Sequence, residues 1–311
     1  MKVGVVGVGA VGAVVAAVTM RRGLASEIVL VDADEQRASG TALDLGYAAP
    51  LGPAVDIRAG SVQDLAGARL VIVTAGENEQ AGGTTDRSDP KGRLRLLDRN
   101  AAVYRDLIPE IARWVPDATV MVVTDPPDPL AELARSLLGH ERVFSTGTVI
   151  DALRFRSHLA RSFGVAPNDV HAQVVGEHGT TEVFLWSSAT IAGIPVSFLA
   201  EQEGHDPARF RSGIEQAVRF ANIDIIEGIG ASRYGIGAAV GALAQSVTRD
   251  ECRVFPVSAH STAWGTTLSL PSVVGARGVL RSFEPPMDDT ERAAMAAGAR
   301  ALRDAASTVL A

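Results

Sequence analysis

The first half of the chain alternates short apolar runs with stretches of helical periodicity. The apolar runs that read as buried strands are KVGVVGVG, EIVLVDAD, LVIVTAG and TVMVVTDPP. Amphipathic helices are predicted between them, over residues 12–22, 35–45 and 93–114. Because strands that alternate with helices of this length form parallel sheets, we expect an α/β fold with a doubly wound parallel sheet.

The pattern changes near residue 146. A helical stretch, VIDALRFRSHLARSFG, leads into two strand-like runs, HAQVVGEHG and EVFLWSS. Further helices are predicted over residues 207–227, 235–248 and 289–310, with strand-like RVFPVSAH and TTLSLPSVVG between the last two. We therefore expect a first domain over residues 1–146, a second α+β domain over residues 147–311, and a long loop over residues 77–92.

Composition narrows the class of ligand. The 311 residues are 47% hydrophobic with a net charge of -7, so a core is available but no broad basic field exists for nucleic acid or an anionic membrane surface. No apolar stretch has the uninterrupted length that predicts a membrane span. The single cysteine, Cys252, excludes an intrachain disulfide and a cysteine metal cluster, which is typical of a reducing cytoplasm. A small molecule is the expected partner.

The segment GVGAVG follows the first strand and opens the first helix. Gly7 permits a tight turn, Gly9 lets a pyrophosphate approach the backbone, and Gly12 lets the helix pack closely on the strand. With Ala10 and Val11 between them, these glycines predict a dinucleotide site at a helix N-terminus, which favours negative charge. A glycine-rich structural turn is the alternative.

Asp32 ends the second strand, 20 residues after Gly12. A carboxylate at this place accepts hydrogen bonds from the adenosine ribose and would repel a 2'-phosphate, so NAD is favoured over NADP. Thr74, Ala75 and Gly76 end the next strand and can face the same crevice at the carboxyl edge of the sheet. The alternative is a surface aspartate with no ligand.

Several stretches, taken in order, resemble one protein family. They are GVGAVG, VLVDAD with ALDL, VTAG, RLRLLDRNAAV, GTVIDALRFR, VVGEHGTTEVFLWSSATIAGIPV, ASRYGIGAA and LSLPSVVGARGV. Together they make the chain similar to the lactate/malate dehydrogenases, NAD-dependent enzymes that act on L-2-hydroxy acids. The resemblance implies a Rossmann domain followed by an α+β substrate domain, NAD as cofactor, a 2-oxo or 2-hydroxy acid as substrate, and a homo-oligomer, either a dimer or a tetramer.

The resemblance also assigns a catalytic centre. It implies that His178 exchanges a proton with the substrate, that Asp151 orients the imidazole, and that Arg154 binds the substrate carboxylate. Asp151 and Arg154 share a helix face at i and i+3, and a guanidinium can hold a carboxylate through two parallel hydrogen bonds. An imidazole beside a carboxylate can be protonated at neutral pH. The alternatives are a polar histidine in a tight turn and a salt-bridged helix surface.

Two more residues are assigned in the same way. Arg93 lies seven residues before Asn100 and matches a mobile-loop arginine that polarises the substrate carbonyl, although Arg95 or Arg87 could reach inward instead. Ser232 is expected to contact the substrate side chain. A helix cap is the alternative for Ser232.

The segment VTDPPD departs from the family. Asp125 stands where the family has asparagine beside the reacting oxygen and is expected on the substrate, but an ionised carboxylate cannot donate a hydrogen bond there. Thr124 is expected on the cofactor. The resemblance also implies a cis peptide before Pro126.

The loop after Gly76 is longer than usual and carries QAGG in place of the family's lysine-proline-glycine segment. A dicarboxylate substrate is therefore disfavoured, unless Arg87 or Lys91 contacts it. The leading hypothesis is an NAD-dependent 2-hydroxyacid dehydrogenase whose substrate is neither simply lactate-like nor malate-like. The alternative is a catalytically inactive NAD-binding regulator or oligomeric partner. An NAD-dependent glycosidase is remote, since Cys252 lacks suitable metal-binding neighbours.

Overall fold

Alternating strands and helices run through the first half of the chain, and the computed structural model describes residues 1–77 and 95–310. In chain order the strands are β1 (Lys2–Val6), β2 (Glu27–Val31), β3 (Asp56–Ala59), β4 (Ala68–Val73), β5 (Thr119–Val122), β6 (Val143–Ser145), β7 (Val170–His171), β8 (Val174–Val175), β9 (Val183–Phe184), β10 (Thr190–Ile191), β11 (Ile194–Pro195), β12 (Arg253–Ser261), β13 (Thr266–Gly275) and β14 (Gly278–Ser282). The helices are α1 (Ala10–Arg21), α2 (Glu35–Ala48), α3 (Leu97–Trp114), α4 (Pro127–Leu138), α5 (Val149–Ser162), α6 (Val196–Gln202), α7 (Pro207–Arg219), α8 (Ala221–Ile229), α9 (Tyr234–Arg249) and α10 (Asp289–Leu310). Short 3-10 segments cover Ala49–Leu51, Val62–Leu65 and Pro167–Asp169.

The main sheet has nine strands in the order β14-β13-β12-β6-β5-β4-β1-β2-β3. The strands from β1 to β6 pair in parallel, and the central ones are almost wholly buried because helices cover both faces. The strand order reverses between β1 and β4, which opens a crevice at their carboxyl ends. The prediction of a doubly wound parallel sheet in an α/β fold is confirmed.

The second half of the chain extends the same sheet. β12 runs antiparallel to β6 through the pair Ser258 and Ser145, and β12 and β13 form a long antiparallel hairpin. Two smaller sheets, β11-β10-β7 and β8-β9, complete the α+β part. The hydrogen-bonded sheet thus crosses residue 146, and the division into two domains there stays a prediction.

Three elements differ from the sequence prediction for identifiable reasons. The single helix expected over residues 207–227 is two helices, α7 and α8, which meet at Phe220. α4 was not predicted because its first turn contains two prolines, which a helix tolerates there since the first N–H groups have no intrahelical partner. β3 was missed because DIRA is a polar edge strand. Of the predicted loop over residues 77–92, only Glu77 lies within the described residues.

A close contact between α1 and α9 fixes the second half of the site against the first. Gly237 and Gly241 of α9 face Val14 and Val18 of α1, and a Cβ atom at Gly237 would lie 2.5 Å from Val14 Cγ1. The glycine-rich stretch therefore lets the two helices approach closely. It brings the turn before α9 beside the turn before α1.

Candidate active site

A cavity of about 600 Å³ opens at the carboxyl ends of β1, β4 and β5. The predicted site residues that line it are Gly9, Ala10, Val11, Gly12, Thr74, Gly76, Thr124, Asp125, Arg154, His178 and Ser232. A groove of about 1070 Å³ continues past β2 and adds Gly7, Asp32 and Ala75. The cavity and the groove share Gly9, Thr74 and Gly76, so residues that are distant in the sequence converge on one crevice with volume for a dinucleotide beside a small substrate.

The turn between β1 and α1 needs glycine for a different reason at each position. Gly7 has φ of +89°, and a Cβ atom there would overlap the backbone of Ala75. A Cβ atom at Gly12 would overlap the carbonyl oxygen of Gly7, whereas a Cβ atom at Gly9 would meet nothing within 4 Å. Gly7 and Gly12 thus satisfy internal packing, and Gly9 leaves space at the N-terminus of α1 that a pyrophosphate can enter.

Asp32 is fixed at the end of β2 by backbone donors. Its Oδ2 accepts a hydrogen bond from the N–H of Val8 at 2.6 Å, and its Oδ1 accepts one from the N–H of Asp34 at 2.9 Å. Arg37, which the sequence reasoning missed, forms an ion pair with Asp32 at 3.3 Å. The position suits a carboxylate that accepts hydrogen bonds from ribose hydroxyls.

His178, Asp151 and Arg154 form one connected group. His178 Nδ1 lies 2.5 Å from Asp151 Oδ2, and Arg154 Nη1 lies 3.1 Å from Asp151 Oδ1. The side chain of Asp151 is only 3% exposed, against 14% for His178 and 13% for Arg154. Asp151 and Arg154, three residues apart on α5, lie on one face of the helix, as the sequence predicted. Because Nδ1 bonds to a carboxylate, Nε2 is the nitrogen suited to exchange a proton with a substrate.

A second carboxylate holds the backbone of the same histidine. The N–H of His178 donates to Asp128 Oδ2 at 2.8 Å, and Asp128 is 1% exposed. Burial raises the pKa of Asp128, while hydrogen bonds from Ser258, from the His178 backbone and from Ser145 oppose the rise. Sequence reasoning missed Asp128 because it lies 50 residues from His178 in a segment that did not read as a helix.

Partly buried hydrogen bonds connect the loops after β4 and β5. Asn100, which is fully buried, accepts from the N–H of Glu77 at 2.7 Å and donates to the carbonyl oxygen of Asp125 at 2.7 Å. Thr124 Oγ1 donates to the carbonyl oxygen of Ala75 at 2.7 Å. The peptide between Asp125 and Pro126 is cis, as predicted. Asn100 thus keeps both loops at the cavity wall.

The turn before α9 supplies two polar residues to the cavity. Ser232 lines it, and the helix-cap alternative for Ser232 is wrong because Arg233 is the N-cap of α9. Arg233 also lines the cavity, lies 5.2 Å from the ring of Tyr234, and has a buried Nε without a hydrogen-bond partner among the described residues. No motif pointed to Arg233, since only its neighbour matched a functional position of the family.

Arg93 was predicted to polarise the substrate carbonyl, with Arg87 and Arg95 as alternatives. Arg93 and its alternative Arg87 lie outside the described residues, as does Lys91. The other alternative, Arg95, is exposed in the segment that precedes α3. The role of Arg93 stays a prediction.

The fold and the dinucleotide crevice together are those of an NAD-dependent oxidoreductase. Residues 1–145 match the family model described as lactate/malate dehydrogenase, NAD binding domain, and residues 148–311 match the alpha/beta C-terminal domain of the same family. The chain belongs to the lactate/malate dehydrogenase family, and NAD is its cofactor. The same match sets aside the glycosidase alternative.

Relatives match over almost the whole chain. An L-lactate dehydrogenase of Deinococcus radiodurans is 42% identical over 304 residues, 97% of each chain. An L-lactate dehydrogenase of Thermus aquaticus is 42% identical over 316 residues, 99% of each chain. The crystal structure of the minor L-lactate dehydrogenase from Enterococcus mundtii superposes with a TM-score of 0.91 at 31% identity, covering 99% of this chain and 98% of that one. Across residues 1–77 and 95–310, none of the helices has the length and apolar character needed to cross a bilayer.

Proposed function

We propose that the protein interconverts an L-2-hydroxy acid and the corresponding 2-oxo acid. The observation that carries this proposal is the group formed by His178, Asp151 and Arg154, at the wall of a cavity that continues into the dinucleotide groove. An acid/base imidazole and a carboxylate-binding guanidinium are the two groups that such a reaction requires beside the cofactor.

Each of the three side chains has one task in the reduction of a 2-oxo acid. Arg154 binds the substrate carboxylate in a bidentate manner and so orients the carbonyl. Bound NADH supplies the hydride. Protonated His178 gives its Nε2 proton to the carbonyl oxygen, and Asp151 stabilises the imidazolium before that transfer. In the oxidative direction His178 accepts the hydroxyl proton. Arg93 is proposed to polarise the carbonyl, as the family resemblance implies.

The substrate is proposed to differ from simple lactate. The relatives named L-lactate dehydrogenase make pyruvate the first compound to test. Two features support a different preference: Asp125 at the cavity wall in place of the family's asparagine, and Arg233 beside Ser232. The guanidinium of Arg233 is half-buried, and its Nε has no hydrogen-bond partner among residues 1–77 and 95–310, which favours a substrate whose variable end is polar or negatively charged.

A panel of 2-oxo acids tests the proposal. NADH oxidation is followed with pyruvate, longer apolar 2-oxo acids and 2-oxo dicarboxylic acids. The proteins compared are the native protein, Arg233→Gln and Arg113→Gln, a control substitution on the surface of α3. We expect turnover of at least one compound. We expect Arg233→Gln to raise KM about tenfold, equivalent to ~1.4 kcal/mol, for acids with a polar or charged end only. Binding of NADH without reduction of any compound would contradict the enzymatic proposal and favour the non-catalytic alternative.

A homo-oligomer and a cytoplasmic location are part of the proposal. Three apolar side chains on and after α2 are strongly exposed, namely Leu43 (58%), Tyr47 (75%) and Leu51 (82%). Such a patch supports association with a second copy. Light scattering after size exclusion tests the association by comparing the measured mass with the 32.4 kDa of one chain.

The exposed free thiol of Cys252 supports the proposed cytoplasmic location, because free thiols persist in a reducing compartment.

A further inference from the structure

We propose that Asp128 is a positioning residue, which holds His178 in register with the N-terminus of α5 through a buried hydrogen-bond chain outside the substrate cavity. The proposal rests on the proposed function, because it concerns the acid/base role of His178. It adds a carboxylate that acts through the protein and does not touch the substrate.

The first arm of the chain reaches the histidine loop. His178 lies between β8 and β9, and its backbone N–H donates to Asp128 Oδ2 at 2.8 Å. Asp151 fixes the ring of the same residue through Nδ1. His178 is therefore held at two points, at its backbone N–H by a carboxylate from α4 and at its ring by a carboxylate from α5.

The second arm reaches the N-terminus of α5 through two serines. Ser258 on β12 is hydrogen-bonded to Asp128, and Ser258 Oγ lies 2.7 Å from Ser269 Oγ on β13. Ser269 Oγ in turn accepts from the N–H of Thr148 at 3.0 Å. Thr148 is the N-cap of α5, the helix that carries Asp151. Asp128 thus connects the acid/base residue with the helix of its carboxylate partner.

A third contact reinforces the connection between β6 and α5. Ser145 Oγ donates to Asp128 Oδ1 at 3.1 Å and accepts from the N–H of Gly147 at 3.2 Å. Gly147 has φ of +48°, and a Cβ atom there would lie 2.7 Å from the backbone nitrogen of Ser258. The network leaves no room for a side chain at this position, so the start of α5 is fixed by sterics as well as by hydrogen bonds.

Asp128 receives donors on both carboxyl oxygens. Its Oδ2 accepts from the N–H of His178, and its Oδ1 accepts from Ser145 Oγ, which in turn accepts from the N–H of Gly147. These donors favour the ionised carboxylate and oppose the effect of burial, which raises the pKa of Asp128. In its ionised form Asp128 places a negative charge close to His178, and that charge favours the imidazolium form of His178.

The test uses two variants and a matched control. Asp128→Asn keeps the shape and an acceptor but removes the charge, whereas Ser269→Ala breaks the chain between Thr148 and Ser258. The control is Ser272→Ala, a fully buried serine on the same strand whose hydroxyl bonds to Leu270 and Ser282 instead. For each protein kcat is measured against pH with the best 2-oxo acid of the panel, together with the melting temperature.

We expect kcat to fall about 10- to 100-fold in both variants, since a displacement of about 1 Å can cost that much. In Asp128→Asn the pH at which oxo-acid reduction falls to half should also move lower, because the lost negative charge no longer favours protonated His178. Ser272→Ala should keep the native kcat and pH profile. If both variants match the control in rate and pH profile, or lose only thermal stability, the proposal is overturned.

An activity-independent measurement separates this inference from the proposed function. Diethyl pyrocarbonate modifies neutral imidazole, so the rate of His178 modification against pH, followed by peptide mass spectrometry, reports its protonation without any substrate. A lower midpoint in Asp128→Asn than in the native protein supports the inference even if no 2-oxo acid is reduced. An unchanged midpoint together with an unchanged rate of modification in Ser269→Ala contradicts it.

Discussion

Two carboxylates from different helices hold His178: Asp151 bonds to Nδ1 of the ring, and Asp128 accepts from the backbone N–H. Catalytic groups need this degree of constraint, because proton transfer depends on distances of a few tenths of an ångström and on the correct tautomer. His178 lies in a turn, but its position is fixed by residues of α4 and α5.

Substitution of the histidine should separate chemistry from cofactor binding. We expect His178→Asn to lower kcat about 100- to 10,000-fold, the usual contribution of a general acid. NADH affinity should change little, because the glycine turn and Asp32, which are predicted to bind the nucleotide, lie elsewhere along the crevice. Stopped-flow reduction and NADH fluorescence titration measure the two quantities. Parallel losses of rate and of NADH affinity would mean that His178 serves mainly to shape the cofactor site.

For single residues, the sequence predicts those functional side chains that a local spacing or a sequence motif marks. Asp151 and Arg154 are three residues apart on a helix, so a shared face followed directly. Asp128 and Arg233 gave no such signal, since the contacts of Asp128 come from a loop 50 residues away and those of Arg233 depend on the fold of the cavity wall. Local periodicity contains no information about such distant contacts.

In the turn between β1 and α1, one glycine is needed for stability and a neighbouring glycine for ligand binding. We expect Gly9→Ala to keep the native melting temperature, because its Cβ atom enters open space, and to weaken NADH binding by occupying the place of the pyrophosphate. Gly12→Ala should lower the melting temperature, because its Cβ atom overlaps the carbonyl oxygen of Gly7. Thermal unfolding and NADH titration of both variants decide the matter. Equal destabilisation by the two substitutions would refute this division.

Elements with strong periodicity and clear ends were predictable, and α10 begins and ends where the sequence indicated. The break at Phe220 was not, because neither glycine nor proline marks it. The two helices contact different parts of the molecule: α7 buries Ile214 and Val218 in a core cluster with Phe155, whereas Ile229, the last residue of α8, lines the cavity. A helix break at an ordinary residue such as Phe220 is decided by tertiary packing.

Across the whole molecule, Glu132 joins α4 to the hairpin of β12 and β13. Its carboxylate accepts hydrogen bonds from Arg135, from Thr267 and from His260 at 3.0 Å. Burial alone would raise the pKa of Glu132, but these three partners hold it below the ordinary value of 4.5. A carboxylate with a lowered pKa stabilises the folded state above its ordinary pKa and loses that contribution as pH falls through the lower folded value.

Glu132→Gln should therefore change the pH dependence of stability. We expect the free energy of unfolding to drop by roughly 2 kcal/mol at pH 7, the scale of hydrogen bonds to a charged group. The difference from the native protein should shrink below pH 4.5, where the native carboxylate becomes protonated. Urea unfolding at several pH values measures it, with the exposed Glu110→Gln as control. Parallel curves for the native protein and Glu132→Gln would refute the assignment.

The pairing of β6 with β12 joins the segments on either side of residue 146 at Ser145 and Ser258, and both serines bond to Asp128. The two halves of the chain are consequently not freely interchangeable with those of relatives. A chimera that joins the nucleotide-binding half of one relative to the substrate half of another needs matching residues at the β6–β12 pairing as well as two intact halves. Mismatched hydroxyl groups at this pairing would give a folded chimera in which the histidine is displaced.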